Sequence, residues 1–191
     1  MTCLAVLLFT SCGETHEENN EYANWQERNE AYFSTIYATA KQAADNGDTK
    51  WKIFKAYSKN SNTISITDYI VAEVITEGDG EYRKTMTTDS VSMHYSGRLM
   101  PSESYKDGYL FDSSWTGEYN LMAMKPYNGV VGDYVDGYAT ALMKMRPGDR
   151  WKVYIPHNLG YGSQAKTGIP AYSTLVFDIT FLRSWPKRIT Y

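Results

Sequence analysis

The chain has 191 residues, a formal net charge of −3 and 42% hydrophobic residues, a length suited to one domain with an extension. Its slightly acidic balance, with no basic stripe interleaved with aromatics, excludes a nucleic-acid-binding surface, which needs clustered Lys and Arg to displace the counterions of phosphate. Both cysteines, Cys3 and Cys12, fall in the first dozen residues, so the remaining chain has neither a disulfide nor a thiolate metal ligand.

Residues 3–11, CLAVLLFTS, form an apolar run far shorter than the ~20 residues that span a bilayer. The run reads as the h-region of a signal peptide over residues 1–11. Leu8-Phe9-Thr10-Ser11-Cys12 is similar to a bacterial lipobox, although Phe9 and the lack of a preceding Lys or Arg depart from that pattern. The similarity implies cleavage before Cys12, lipidation of its thiol, and a lipid-anchored protein of the bacterial cell envelope. Residues 12–21 are polar and acidic, with nothing apolar to join a core, and are expected to form a solvated tether.

Over residues 22–44 the spacing becomes helical. Tyr22, Trp25, Tyr32, Phe33, Ile36, Tyr37, Ala40 and Ala44 recur at helical spacing, and Gln26, Glu27, Arg28, Glu30, Lys41 and Gln42 take the other side. Asn46-Gly47-Asp48 is a stop signal. An isolated helix of this length is marginal in water. Its aromatic stripe is therefore expected to be buried, on its own domain in preference to a dimer partner. Residues 50–62 read as a connector with a short strand or turn at 51–56, which completes a helical extension over 22–62.

The segment 63–191 reads as one α+β domain, a twisted antiparallel sheet wrapped around a short helix. A strand is expected over 63–76, ending in Glu77-Gly78-Asp79-Gly80, a hairpin or bend signal. Further strands are expected around 88–99, 109–112, 119–124, 149–156 and 173–182, with the helix at about 137–144. Trp151, Val153 and Ile155 alternate with Arg150, Lys152 and Tyr154, while Leu175, Phe177, Ile179 and Phe181 share a face. Between these last two strands, Leu159-Gly160-Tyr161-Gly162 and Ile169-Pro170 offer a tyrosine and a small apolar tip at the mouth of whatever the sheet encloses. His16, His94 and His157 lack metal-ligand spacing, and no Gly-x-Ser-x-Gly elbow accompanies them. His94 and His157 therefore read as structural.

Five strings stand in a recognisable order: Val91-Ser92-Met93-His94-Tyr95-Ser96-Gly97, Phe111-Asp112-Ser113-Ser114, Tyr134-Val135-Asp136-Gly137-Tyr138, Tyr161-Gly162 with Ile169-Pro170, and Thr174-Leu175-Val176-Phe177-Asp178. Together they resemble the FKBP-type peptidyl-prolyl cis–trans isomerases over residues 70–182. The resemblance implies a pocket walled by Tyr95, Phe111, Val135, Tyr138, Ile169 and Phe177. It makes Asp112 the carboxylate at the rim and Tyr161 the phenol that meets a substrate carbonyl, so that these two are the candidate catalytic residues. It also implies X–Pro polypeptides as substrates, macrolides as inhibitors, and no metal or cofactor. Tyr138 stands where the family usually has Trp, Ala171 follows Ile169-Pro170 where a second Pro is common, and the stretches 100–110 and 115–133 are long.

The chemistry suits such a pocket. Rotation about a peptide bond crosses ~18–20 kcal/mol because amide resonance is lost, and uncatalysed X–Pro exchange takes roughly 10–100 s. A site that holds the ring, strips water from the amide and favours its twisted form needs no nucleophile. Two other readings compete: a non-catalytic peptide-binding or chaperone module on the same fold, and a glycan-binding surface built on exposed aromatics. Convergence of Tyr95, Phe111, Tyr138 and Phe177 on one concavity with Asp112 at its edge separates a pocket from a stacking platform.

Overall fold

A computed structural model describes residues 21–60 and 65–186; the expected signal peptide, Cys12 and the tether up to residue 20 lie outside the described residues. The elements in chain order are α1 (Trp25–Asp45), β1 (Trp51–Lys55), β2 (Tyr69–Thr76), β3 (Asp89–Leu99), β4 (Leu110–Ser113), β5 (Tyr127–Val130), α2 (Asp136–Lys144), β6 (Arg150–Ile155) and β7 (Leu175–Pro186). The strands form one antiparallel sheet in the order β1-β2-β6-β7-β3-β4. β4 covers one stretch of the outer edge of β3, and β5 covers another, with Met93 opposite Tyr127 and Gly97 opposite Asp112. This is the expected α+β class.

The period-2 alternation of the strands decides which helix each residue meets. Ile70, Ala72 and Val74 of β2, Trp151, Val153 and Ile155 of β6, and Phe177, Ile179 and Phe181 of β7 join the main core with α2, whose residues 137–142 are all buried. Gly137 lets α2 approach β6, because a Cβ there would lie 2.3 Å from Ile155 Cγ2. Val71, Tyr154 and Val176 sit in the opposite phase and build a second apolar cluster with Phe33 and Ala40 of α1. The sheet is thus covered by α2 on one face and α1 on the other. Burying a side chain such as Phe33 contributes about 1.5–3 kcal/mol, which holds a helix that would be marginal alone.

Two expectations change, and a third is narrowed. The strand expected at 119–124 is absent, and β5 forms later. Asn120 instead opens a turn: its carbonyl accepts the N–H groups of Ala123 and Met124 at 3.0 and 3.1 Å, and its Oδ1 accepts that of Met122 at 3.0 Å. Such local bonding competes with a ladder. The strand expected from residue 63 begins at Tyr69, after a 3₁₀ turn at Ile66–Asp68 whose Thr67 N–H is accepted by Ser65 Oγ. Of the two alternatives for Gly78 to Gly80 the structure has the bend, since β2 pairs with β1 and β6. Gly78 N–H donates to Asp149 Oδ1 at 2.8 Å and Gly80 N–H to Pro147 O at 3.1 Å, which fastens the bend to the Pro-Gly turn before β6. Among the described residues no helix is long and apolar enough to cross a membrane.

Candidate functional site

The site starts at Gly97. On β3 it faces Asp112 of β4 on one side and Phe177 of β7 on the other. With no side chain between them, Phe111 and Phe177 meet edge-to-face over it, their centroids 5.6 Å apart. Tyr95, two residues earlier and on the same face by strand alternation, lies 6.4 Å from the ring of Phe177. Tyr138 rises from α2 beneath them, 4.8 Å from Phe177, 4.9 Å from Tyr134 and 6.2 Å from Tyr95.

Tyr138 is the floor and only 3% exposed. Its phenol donates to Met93 Sδ at 3.3 Å, which meets the need of a buried hydroxyl for a partner with a weak acceptor. Burial pushes its ionisation well above the ordinary tyrosine range, so it remains a neutral donor. At the rim, Tyr95 Oη donates to Asp112 Oδ2 at 2.8 Å. Burial, then the bond and charge of Asp112, push the Tyr95 phenol above its ordinary value as well. Asp112 is therefore oriented from inside the pocket by a hydroxyl that stays protonated.

The remaining wall comes from the segment between β6 and β7. Lys166 N–H donates to Ile169 O at 2.8 Å and Ile169 N–H to Lys166 O at 2.9 Å, closing a two-residue turn. Gly168 takes a φ of 74° there, a conformation that glycine adopts without steric cost. The turn presents Ile169, only 6% exposed. Tyr161 stands at the mouth, 36% exposed, with Lys166 Nζ 5.8 Å from its ring centroid.

These parts enclose one cavity of about 520 Å³, within the ~300–1,000 Å³ range of small-ligand sites. All eight candidate residues line it: Tyr95, Phe111, Asp112, Val135, Tyr138, Tyr161, Ile169 and Phe177. Tyr127, Asp133, Tyr134, Lys166 and Thr167 also line it, and sequence reasoning missed them. Tyr127 was hidden because β5 was expected elsewhere. Tyr134 had a usable signal, since it lies one turn before Tyr138 and next to Val135. Its Oη is buried without a hydrogen-bond partner among the described residues, and it packs over Gly129, where a Cβ would sit 2.0 Å from the oxygen. Aromatic faces around a concavity whose charged lining is limited to Asp112, Asp133 and Lys166 can hold a neutral apolar ring, with phenols available to an adjoining carbonyl.

Neither histidine of the described residues lines the cavity. His94 is 1% exposed on the other phase of β3, and burial lowers its pKa. His157 Nε2 lies 3.4 Å from Glu30 Oε1. Cys12 lies outside the described residues. A second groove, of about 370 Å³, runs along the α1 side of the sheet by Arg98, Lys106, Lys152 and Asp178, and none of the candidate residues lines it.

Residues 81–182 match the family described as FKBP-type peptidyl-prolyl cis-trans isomerase. The chain is 35% identical over 133 residues to the FKBP-type 22 kDa peptidyl-prolyl cis-trans isomerase of Escherichia coli strain K12, covering 69% of this chain and 57% of that protein. It is 34% identical over 122 residues to the macrophage infectivity potentiator of Trypanosoma cruzi, covering 63% of this chain and 56% of that one. The chain thus spans about half the length of the curated relatives it matches. Among solved structures, that of FkpA from Escherichia coli superposes with a TM-score of 0.51 at 26% identity, covering 86% of this chain and 66% of that chain. A peptidyl-prolyl cis-trans isomerase from Pseudomonas syringae shares the fold, with a TM-score of 0.50 at 21% identity over 79% of this chain and 94% of that one.

Proposed function

The chain belongs to the FKBP-type peptidyl-prolyl cis–trans isomerase family, and from that premise we propose that it accelerates cis–trans isomerisation of X–Pro bonds in exported polypeptides. The observation that carries this reading is the convergence of all eight candidate residues on one cavity. The proline ring rests on Tyr138, between the faces of Phe111, Tyr95 and Phe177 and the aliphatic tips of Val135 and Ile169. Burial of the ring strips water from the neighbouring amide. A planar amide is strongly dipolar and loses hydration there, whereas the twisted amide is less dipolar and loses less, so the apolar wall favours the transition state differentially.

Tyr161 donates its phenolic hydrogen to a substrate carbonyl and fixes the peptide across the mouth. Asp112, held by Tyr95, places its carboxylate beside the carbonyl carbon side of the twisting bond and favours the charge redistribution that accompanies lost resonance. A reduction of the barrier by about 5 kcal/mol accelerates exchange several thousand-fold. The same cavity would take the macrolide inhibitors that the family resemblance implies. Location belongs to the same proposal: the apolar run 3–11 and Cys12 support a lipid-anchored protein of the bacterial cell envelope.

A protease-coupled isomerisation assay on short X–Pro peptides tests the activity. Wild type should accelerate exchange, and Asp112→Ala and Tyr161→Phe should each lower kcat/KM several-fold without unfolding the protein. Loss of one neutral hydrogen bond, worth about 0.5–1.5 kcal/mol, sets the size of the Tyr161→Phe defect. Peptide binding without acceleration would point to the non-catalytic module, and two variants indistinguishable from wild type would remove the roles given to these residues.

A further inference from the structure

α1 lies upstream of the residues that match the family, yet it bonds directly to the segment that closes the cavity. Trp25 Nε1–H donates to Ser173 Oγ at 2.9 Å, and the Ser173 hydroxyl donates onward to Pro170 O at 2.7 Å, one residue past Ile169. Asn29 Oδ1 accepts the Thr174 backbone N–H at 2.7 Å, and the Asn29 carbonyl accepts the Thr174 hydroxyl at 3.2 Å. The Asn29 amide is itself fixed, because its Nδ2 donates to Trp25 O at 2.7 Å. Asn29, Thr174, Ser173 and Trp25 are 0, 1, 4 and 7% exposed. The apolar docking of α1 rests on Phe33 and Ala40 and on the Trp25 ring, which joins the main core, so Trp25 contributes both a packed ring and an indole donor.

The segment needs such a hold. Thr174 stands just before β7, where the ladder begins at Leu175, so without Asn29 its buried N–H is left unpaired. Tyr172 carries a φ of 61°, a backbone state that a non-glycine residue keeps only when its surroundings over-determine it. Its N–H donates to Gly162 O at 2.8 Å, and its ring meets His157 edge-on at 5.3 Å. Tyr161, Lys166, Thr167 and Ile169, all on this segment, make one side of the cavity.

We infer that α1 is a positioning element of the site: Trp25 and Asn29 clamp residues 170–174 so that Ile169 closes the cavity and Tyr161 stands at its mouth. The inference rests on the isomerase reading of that cavity. Ile169 touches the proline ring in both the planar and the twisted state, so a loosened clamp weakens binding of both. KM rises while kcat changes little.

The test uses the full chain. Trp25→Phe keeps an aromatic ring in place and removes the donor; Ser173→Ala removes the middle of the relay and carries the test if Trp25→Phe does not fold. KM and kcat on an X–Pro peptide are measured well below each variant's Tm, beside amide hydrogen exchange over residues 161–172. Faster exchange there is expected, with a KM raised roughly two- to tenfold in Trp25→Phe, the span of one lost hydrogen bond, and at least as much in Ser173→Ala, which loses two. The double variant should be no worse than the more affected single, because both substitutions break one relay. A lowered Tm with unchanged KM, or unchanged exchange over 161–172, overturns the clamp. If wild type turns over no X–Pro peptide, the isomerase reading fails by itself, and the exchange measurement still decides whether α1 holds the segment.

Discussion

A methyl group placed on Gly97 would lie 2.5 Å from Phe111 Cε2, 2.6 Å from Phe111 Cζ and 2.6 Å from Phe177 Cε1. Carbon atoms in contact prefer about 3.5–4.0 Å, so both rings must retreat by roughly 1 Å. Gly97 does not have a positive φ, so the penalty of Gly97→Ala is steric and not a matter of backbone strain. Overpacking of this kind costs about 1–3 kcal/mol. At about 2–4 °C per kcal/mol for a chain of this size, Tm should fall by several degrees in a thermal melt. Turnover should fall further than stability alone explains, since the displaced rings are two walls of the cavity; misplacement by about 1 Å can cost up to ~100-fold in rate. Adding Phe111→Leu should relieve the Phe111 part of the clash and restore part of the lost Tm, the contact with Phe177 remaining, without restoring kcat/KM in the peptide assay. Gly97→Ala with wild-type Tm and wild-type turnover would refute the packing derived around β3.

Tyr138→Ala should cost about 3–5 kcal/mol in a denaturant titration, the range for truncating a buried aromatic, and abolish turnover, whereas Tyr138→Trp should keep the floor apolar and preserve it; a fully stable Tyr138→Ala contradicts the floor assignment. His94 is buried, and its folded-state pKa lies below the ordinary 6.5, so under about pH 6.5 the unfolded chain binds the proton that the folded chain resists. Its contribution is complete above pH 6.5 and lost as pH falls below it toward the folded value; His94→Gln should flatten that slope in stability, and an unchanged slope would assign it to other groups. Cys12→Ser should shift the full-length protein from the membrane to the soluble fraction on cell fractionation, because stable anchoring takes two acyl chains; unchanged membrane retention would count against the lipobox.

Strict periodicity was the part of the fold most open to reading. β3, β6 and β7 alternate over long runs and α1 keeps one apolar stripe, because each must present a continuous face to a core. The ordered strings around Tyr95, Phe111, Val135, Tyr138, Ile169 and Phe177 likewise marked residues that now share one cavity. β5 was not legible, for a strand of four residues carries little period, and the expected strand was placed upstream over the stretch that Asn120 folds into a turn. Tyr127 was lost with it.

Local pattern, in short range along the chain, was enough to set which faces are apolar and where α1 and most strands run, while the resemblance of its ordered strings to a family pointed to the side chains that now share one cavity. It could not reveal that Gly97 is the space into which two phenylalanines close, since that depends on β4 and β7 flanking the same point of β3. Nor could it single out Asn29, which reads as one polar residue on a helix until folding sets it against Thr174, 145 residues away. Periodicity reports burial against a generic apolar partner, whereas a hydrogen bond or a steric gap depends on one partner at one distance. Only the packed sheet, with α1 across one face and α2 across the other, supplies those partners.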